Sequence, residues 1–217
     1  GYFHKVVERE PGVVTRVAGG REITFDVRPL AHLRVRIVDE RGRPATARVY
    51  LTGSDGLGYA PRGTISRFTA MSAEQFFHAR ERFEIDLPAG DTLIEAVRGP
   101  EYEMTRQSVT LAADKPTDIT IRLKRWTDMS ARGFYSSDAH IHANYTAPHH
   151  QTVTAEDVLD YTLGEDLNLP NMMVANSSGA FLHDTELFTG NLHPLSRGNY
   201  LIRWNEEMRN AGLYGHI

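Results

Sequence analysis

The chain contains no cysteine, which removes disulfides and thiolate ligands, so any bound metal must be held by His, Asp or Glu. It has no apolar run long enough to cross a bilayer, and the opening Gly1-Tyr-Phe-His-Lys-Val-Val-Glu8 lacks a signal peptide's apolar stretch. A basic stripe is also missing and the net charge is only -4, so no nucleic-acid partner is expected. What is present, 41% hydrophobic and 24% charged residues over 217 positions, is enough for one large globular domain or two small ones. The absence of cysteine does not fix a compartment; a periplasmic or secreted setting is slightly favoured over a cytoplasmic one. Oligomeric state is not readable.

Histidine is scarce in the first part of the chain and crowded after residue 139. Up to about residue 125 the texture is all β. Ile23–Val27, Leu33–Val38, Ala47–Leu51, Arg82–Leu87, Asp91–Val97, Gln107–Leu111 and Thr117–Leu123 alternate apolar and polar residues, as strands with one buried face do. Turn chemistry separates them, as in Asp39-Glu-Arg-Gly-Arg-Pro44 and Gly53-Ser-Asp-Gly56. About seven short strands predict a β-sandwich over 1–125. The stretch Tyr59 to Ala79 breaks the alternation and reads as a long ordered loop over a sandwich edge.

From Trp126 onward strand and helix alternate. Ser137-Asp-Ala-His-Ile-His142 ends a short strand, and on a strand His140 and His142 project to one side, where two imidazoles can hold a divalent ion. Asp138 shares that face. Thr154 reads as an N-cap with Glu156 and Asp157 in the first turn, and Val158, Leu159, Leu163 and Leu167 form an apolar stripe. Pro170 stops the helix near Asn168. Asn171–Ala175 is a buried strand ending at Asn176, so strand, helix and strand imply a parallel crossover. Ligands of such sheets collect at the C-terminal strand ends, where His142 and Asn176 lie.

The run Gly133–His142, then Asn144-Tyr145, then Gly164-Glu-Asp-Leu-Asn-Leu-Pro170 resembles metallohydrolases of the polymerase and histidinol phosphatase (PHP) superfamily. The nearest likeness is the carbaryl-hydrolase-like (CehA/McbA) branch, in which a β domain precedes the His-x-His strand. Here Arg82–Gly90 and Arg98-Gly-Pro-Glu-Tyr102 look like that leader. The resemblance implies a sandwich similar to carboxypeptidase-regulatory or transthyretin-like modules, followed over 126–217 by the start of a distorted TIM-like barrel. It also implies a two- or three-ion centre of zinc, manganese or iron, zinc above the others, that hydrolyses phosphoesters or, in this branch, esters, amides or carbamates of a small-molecule substrate.

By this resemblance His140 and His142 are the first metal motif. Asn176 stands where the superfamily often has Asp-His, and a neutral, weaker ligand argues against a full three-metal centre. Trp204-Asn-Glu-Glu-Met208 looks like the strand-end Gly-Glu-Glu segment, with Glu207 as the bridging carboxylate and Glu206 as the alternative in register. Tyr214-Gly-His216 matches the Gly-His motif, making His216 a ligand.

Two imidazoles and a carboxylate leave coordination positions open, the mark of a catalytic rather than a structural ion. Asp138 is assigned beside the ligands, accepting a histidine's outer N–H, or else to capping the turn before the strand. His149 and His150 follow closely enough to reach substrate, although solvated loop positions explain them as well. His183 and His193, among Asp184, Glu186, Gly190 and Pro194, belong to a lid-like stretch. Glu165 and Asp166 near a helix end oppose the dipole, which hints at a partner, while simple exposure would also account for them. About ninety residues after Trp126 are too few for a barrel, so the chain is expected to be a fragment with weak metal affinity and little activity. The other function class is a non-catalytic binding or structural sandwich with a degenerate PHP-like segment.

Overall fold

The computed structural model describes residues 12–18, 21–65, 67–69, 74–144, 152–174 and 182–207. Strands β1 (Gly12–Ala18) and β2 (Arg21–Val27) form an antiparallel hairpin. There follow β3 (Leu30–Val38), β4 (Thr46–Thr52), β5 (Arg67–Thr69), β6 (Glu74–Arg80), β7 (Arg82–Pro88), β8 (Gly90–Val97), β9 (Tyr102–Glu103), β10 (Thr105–Leu111), β11 (Thr117–Arg122) and β12 (Lys124–Arg125). One sheet has the order β10-β8-β4-β6-β5; the other places β3 between antiparallel β7 and parallel β11. β9 and β12 pair separately.

The two main sheets close on one core, because the alternating residues of each turn one apolar row inward. Leu33, Val35 and Ile37 of β3 meet Val49, Leu51, Phe77 and Ile94 from the opposite sheet. Phe77 and Phe83 meet edge to face at 5.1 Å, the arrangement that aromatic quadrupoles favour. The molecule is thus mostly β-sheet, with a sandwich in its first part.

The stretch expected to be a loop from Tyr59 to Ala79 contains β5 and β6, and β6 pairs directly with β4 inside the five-stranded sheet. The reason is that β6 carries an aromatic ring on each face, with Phe76 packed on Tyr50 outside and Phe77 inside. Phe77 and Ala79 enter the sandwich core, while His78 on the other face packs edge-on against Tyr161. Adjacent aromatic residues on opposite faces blur the period-two pattern that marks a strand in sequence.

In the second part β13 (Ser137–Ile141), β14 (Leu169–Val174) and β15 (Arg203–Glu206) form a parallel sheet in that order, and one helix, α1 (Ala155–Gly164), covers one face. Thr154 caps α1: its side chain accepts from the Asp157 N–H and the Asp157 carboxylate accepts from the Thr154 N–H, a capping box. The helix ends at Gly164 rather than near Asn168. Asp166 has φ +50°, which an α-helix cannot contain, and Glu165 and Asp166 are both taken up by ion pairs. Val158, Leu159 and Leu163 of α1 pack on Met172, Val174, Ile202 and Trp204 in a second, smaller core. Three strands do not close into a barrel among the described residues. No helix there is long and apolar enough to cross a membrane.

Candidate metal centre

His140 is the penultimate residue of β13, His142 follows its end, and Glu207 follows the end of β15. Parallel strands bring these C-terminal ends to one edge of the sheet. The two Nε2 atoms stand 2.8 Å apart, and Glu207 Oε2 lies 3.0 Å from that of His142 and 3.5 Å from that of His140. Ligands at about 2.1 Å from a tetrahedral ion are separated by roughly 3.4 Å, so three donors converging at 2.8 to 3.5 Å match the edges of such a cradle. Imidazole and carboxylate without sulfur suit zinc, manganese or iron. His140, His142 and Glu207 form the one group of three potential metal ligands found among the described residues.

Burial grades across the centre. The Glu207 side chain is 0% exposed, that of His142 20% and that of His140 46%. A buried carboxylate requires a compensating cation, whereas the half-open His140 side faces solvent. Glu206 is exposed and, one residue away on a strand, lies on the opposite side from Glu207. Of the two registers, the structure thus brings Glu207 to the histidines.

Asp138 accepts at Oδ1 from the backbone N–H of His140 at 3.0 Å. The bond lies inside β13 and acts on the ligand's main chain. The pairing of β13 with β14 shifts register between Asp138 and Ile141, and a hydrogen-bonded amide line spans all three strands there. Asn205 Nδ2 donates to Asn171 Oδ1 at 3.2 Å, and Asn171 Nδ2 donates to the Asp138 carbonyl at 3.0 Å. These two asparagines lie on the face that carries the histidines, and no sequence motif pairs them. Asparagine inside a parallel strand was the available signal, since such strands are ordinarily apolar.

Asn144 ties down the segment after His142. Its amide donates to the Val153 carbonyl at 2.9 Å and to Asp184 Oδ1 at 2.7 Å, and its oxygen accepts from the Val153 N–H. His193 lies 5.4 Å from the Trp204 ring and accepts from the Leu195 N–H. Leu187 and Leu195 pack on the second core, which anchors the lid-like stretch at two points. Asn176, His149, His150 and His216 lie outside the described residues. A cleft of about 410 Å³, lined by Glu101, Arg125, Asp166, Asn168, Arg197 and Tyr200, opens at the N-terminal end of the sheet, opposite the histidines.

No protein-family model matches the chain and no curated protein matches it in sequence. Among solved structures it is similar to GBS52, a minor pilin of Streptococcus agalactiae, at 15% identity and TM-score 0.35 over 52% of this chain and 58% of that one. It is also similar to the phospholipase PlaB of Legionella pneumophila at 14% identity and TM-score 0.30, over 55% of this chain and 30% of that one. The chain thus spans little more than half the pilin's length and under a third of the phospholipase's, and likenesses of this size establish neither a family nor an activity.

Proposed function

We propose that this chain carries a PHP-like metal centre, of the kind found in the carbaryl-hydrolase-like branch, that hydrolyses an ester, amide, carbamate or phosphoester bond. One observation carries the reading: two imidazole nitrogens and a buried carboxylate oxygen from two parallel strand ends meet within 3.5 Å. Glu207 supplies the negative charge, and the two imidazoles bind through Nε2 in their neutral form. The exposed side of His140 leaves room for substrate. Asp138, Asn171 and Asn205 hold the main chain beneath the ligands, as partners that orient ligating residues do. When bound, a divalent ion supplies an acidified water and polarises the substrate's oxygen. Zinc fits the donor set best, with manganese or iron compatible.

Calorimetric titration of the chelator-stripped protein with Zn²⁺ tests the centre. One equivalent should bind, more tightly as pH rises because the ligands must be deprotonated. Loss of an orienting partner alone costs some 10- to 100-fold, so His142→Ala, which removes a ligand, and Glu207→Gln, which replaces the charged ligand by a neutral one, should each weaken binding by at least about 100-fold. Unchanged affinity in both variants rejects the centre and favours the non-catalytic sandwich module. Turnover of model esters, amides, carbamates and phosphoesters should be weak in this chain, and its loss with chelator and in Glu207→Gln tests the hydrolysis.

A further inference from the structure

We infer that one face of the sandwich is an obligate docking surface for the C-terminus of α1, so that the sandwich is a folding and positioning component of the metal-site segment and not a detachable binding module. The observation is a polar seam built by two sequence motifs that the metal centre leaves unused, Arg98-Gly-Pro-Glu-Tyr102 and Gly164-Glu-Asp-Leu-Asn168.

Two carboxylates follow directly on a helix C-terminus, where the dipole disfavours them. Among the described residues, every cation that meets them comes from the sandwich side. Glu165 receives a two-pronged Arg48 guanidinium, with Nε at 2.7 Å, and lies 2.6 Å from Nε2 of the buried His78. Asp166 accepts from Arg125 at 2.7 Å and lies 3.5 Å from Arg98. Arg98 also donates to the Leu163 carbonyl at 3.0 Å and to the Tyr200 hydroxyl at 2.9 Å, adding a side-chain donor to a carbonyl in the last turn of the helix. The Glu165 and Asp166 side chains are 12% and 7% exposed. Removing either set of partners would leave charge buried and uncompensated.

The backbones are equally close. A Cβ on Gly99, which has φ +62°, would lie 2.1 Å from the Glu165 carbonyl oxygen, and one on Gly164 would lie 2.5 Å from the His78 ring. The seam also fixes the start of each strand in the parallel sheet. Ser136, before β13, donates to the Asp166 carbonyl; Asn168 precedes β14 and accepts the Leu201 N–H; and Tyr200, before β15, donates to Asp166. Four to seven residues further along the chain, β13 delivers His140 and His142 and β15 delivers Glu207.

The test uses the full chain in chelator, so it does not depend on whether the centre binds metal. In a Trp126→Phe background Trp204, buried in the second core, is the remaining tryptophan and reports the parallel sheet, while far-UV circular dichroism reports mainly the sandwich. The two thermal transitions should coincide. Gly164→Ala decides the sign: helix propensity alone favours alanine, whereas the seam requires the Trp204 transition to fall by roughly 5 °C, on the scale of such domains. Hydrogen exchange in β14 and β15 should also quicken about tenfold. If Gly164→Ala fails to fold, Glu165→Gln, which removes charge without adding bulk, should produce the same shift. A Trp204 transition that is unchanged or raised in the variant examined, or two separate transitions in the parent, overturns the inference. Zn²⁺ affinity measured on the same variants shows independently whether the centre depends on the seam.

Discussion

The sandwich and the segment after it differ in how many of their faces are closed. In the sandwich two sheets bury their apolar rows against each other, and the core runs from Leu33 through Phe77 to Ile121. The parallel sheet has α1 on one face, while its other face presents Asn171, Asn205 and the histidines. Parallel sheets are normally covered on both faces. Among the described residues, then, stability is concentrated in one region and candidate chemistry in the other, and the ion pairs at the end of α1 connect them. A site tolerates polar, strained or open geometry when a rigid neighbour holds it.

The comparison breaks most visibly in the sandwich core. Phe77 is 0% exposed, and Phe77→Ala should cost roughly 3 to 5 kcal/mol through lost burial and the cavity left behind. Because β6 packs against α1 through His78 and Tyr161, Trp204 fluorescence and circular dichroism should report this loss together in urea unfolding. A drop seen by circular dichroism alone would show that the second region stands without the first.

The sequence makes one region far more legible than the other. Strands β3, β4, β7, β8, β10 and β11 each keep one face toward the opposing sheet, so alternation exposes them; β6, with Phe76 and Phe77 side by side on opposite faces, hides. Thr154 and Asp157 give the start of α1 by local chemistry, but its end depends on Arg48, His78, Arg98 and Arg125, up to 117 residues away in sequence, and local chemistry cannot show that. The His140 and His142 pair is local and therefore readable. Glu207 came from a family likeness, and only the pairing of β14 with β15 brings it to the histidines. The acidic pair Glu165 and Asp166 stands out in sequence by its conflict with the helix dipole, but its cations are visible only in the folded chain.

A smaller effect should appear on acidification. Burial alone would raise the Glu165 carboxyl, but hydrogen bonds and charge from His78 and Arg48 outweigh it and hold it below its usual value of 4.5. A depressed carboxyl stabilises the fold above its unfolded value, and that stabilisation is lost as pH falls through 4.5 and below. Asp160 runs the other way, raised by burial against the pull of Arg80, so its protonation eases the fold in acid. In chelator, the Trp204 signal should lose stability below about pH 5, and Glu165→Gln should flatten that limb. The Asp39 carboxyl, buried in the sandwich yet held down by the Arg43 and Arg41 N–H groups and the Arg43 side chain, should leave in Glu165→Gln a residual acid limb that Trp204 and circular dichroism report alike. Identical acid limbs in parent and Glu165→Gln would remove the carboxylate from the connection between the regions.

The smallest effect expected is also the most discriminating, because it acts on the second region alone. Thr154→Ala deletes the hydroxyl that accepts the Asp157 N–H and should cost about 1 kcal/mol. The cap lies at the opposite end of α1 from Glu165, so the substitution disturbs none of the seam's ion pairs. If the two regions unfold as one, this local loss must lower the circular dichroism midpoint of the whole chain by the same few degrees as the Trp204 midpoint, roughly 2 to 4 °C for a chain of this size. If Trp204 moves and circular dichroism does not, the helix frays from a sandwich that keeps its fold. The seam would then be a contact between two independent units, and the sandwich would regain its standing as a separable module.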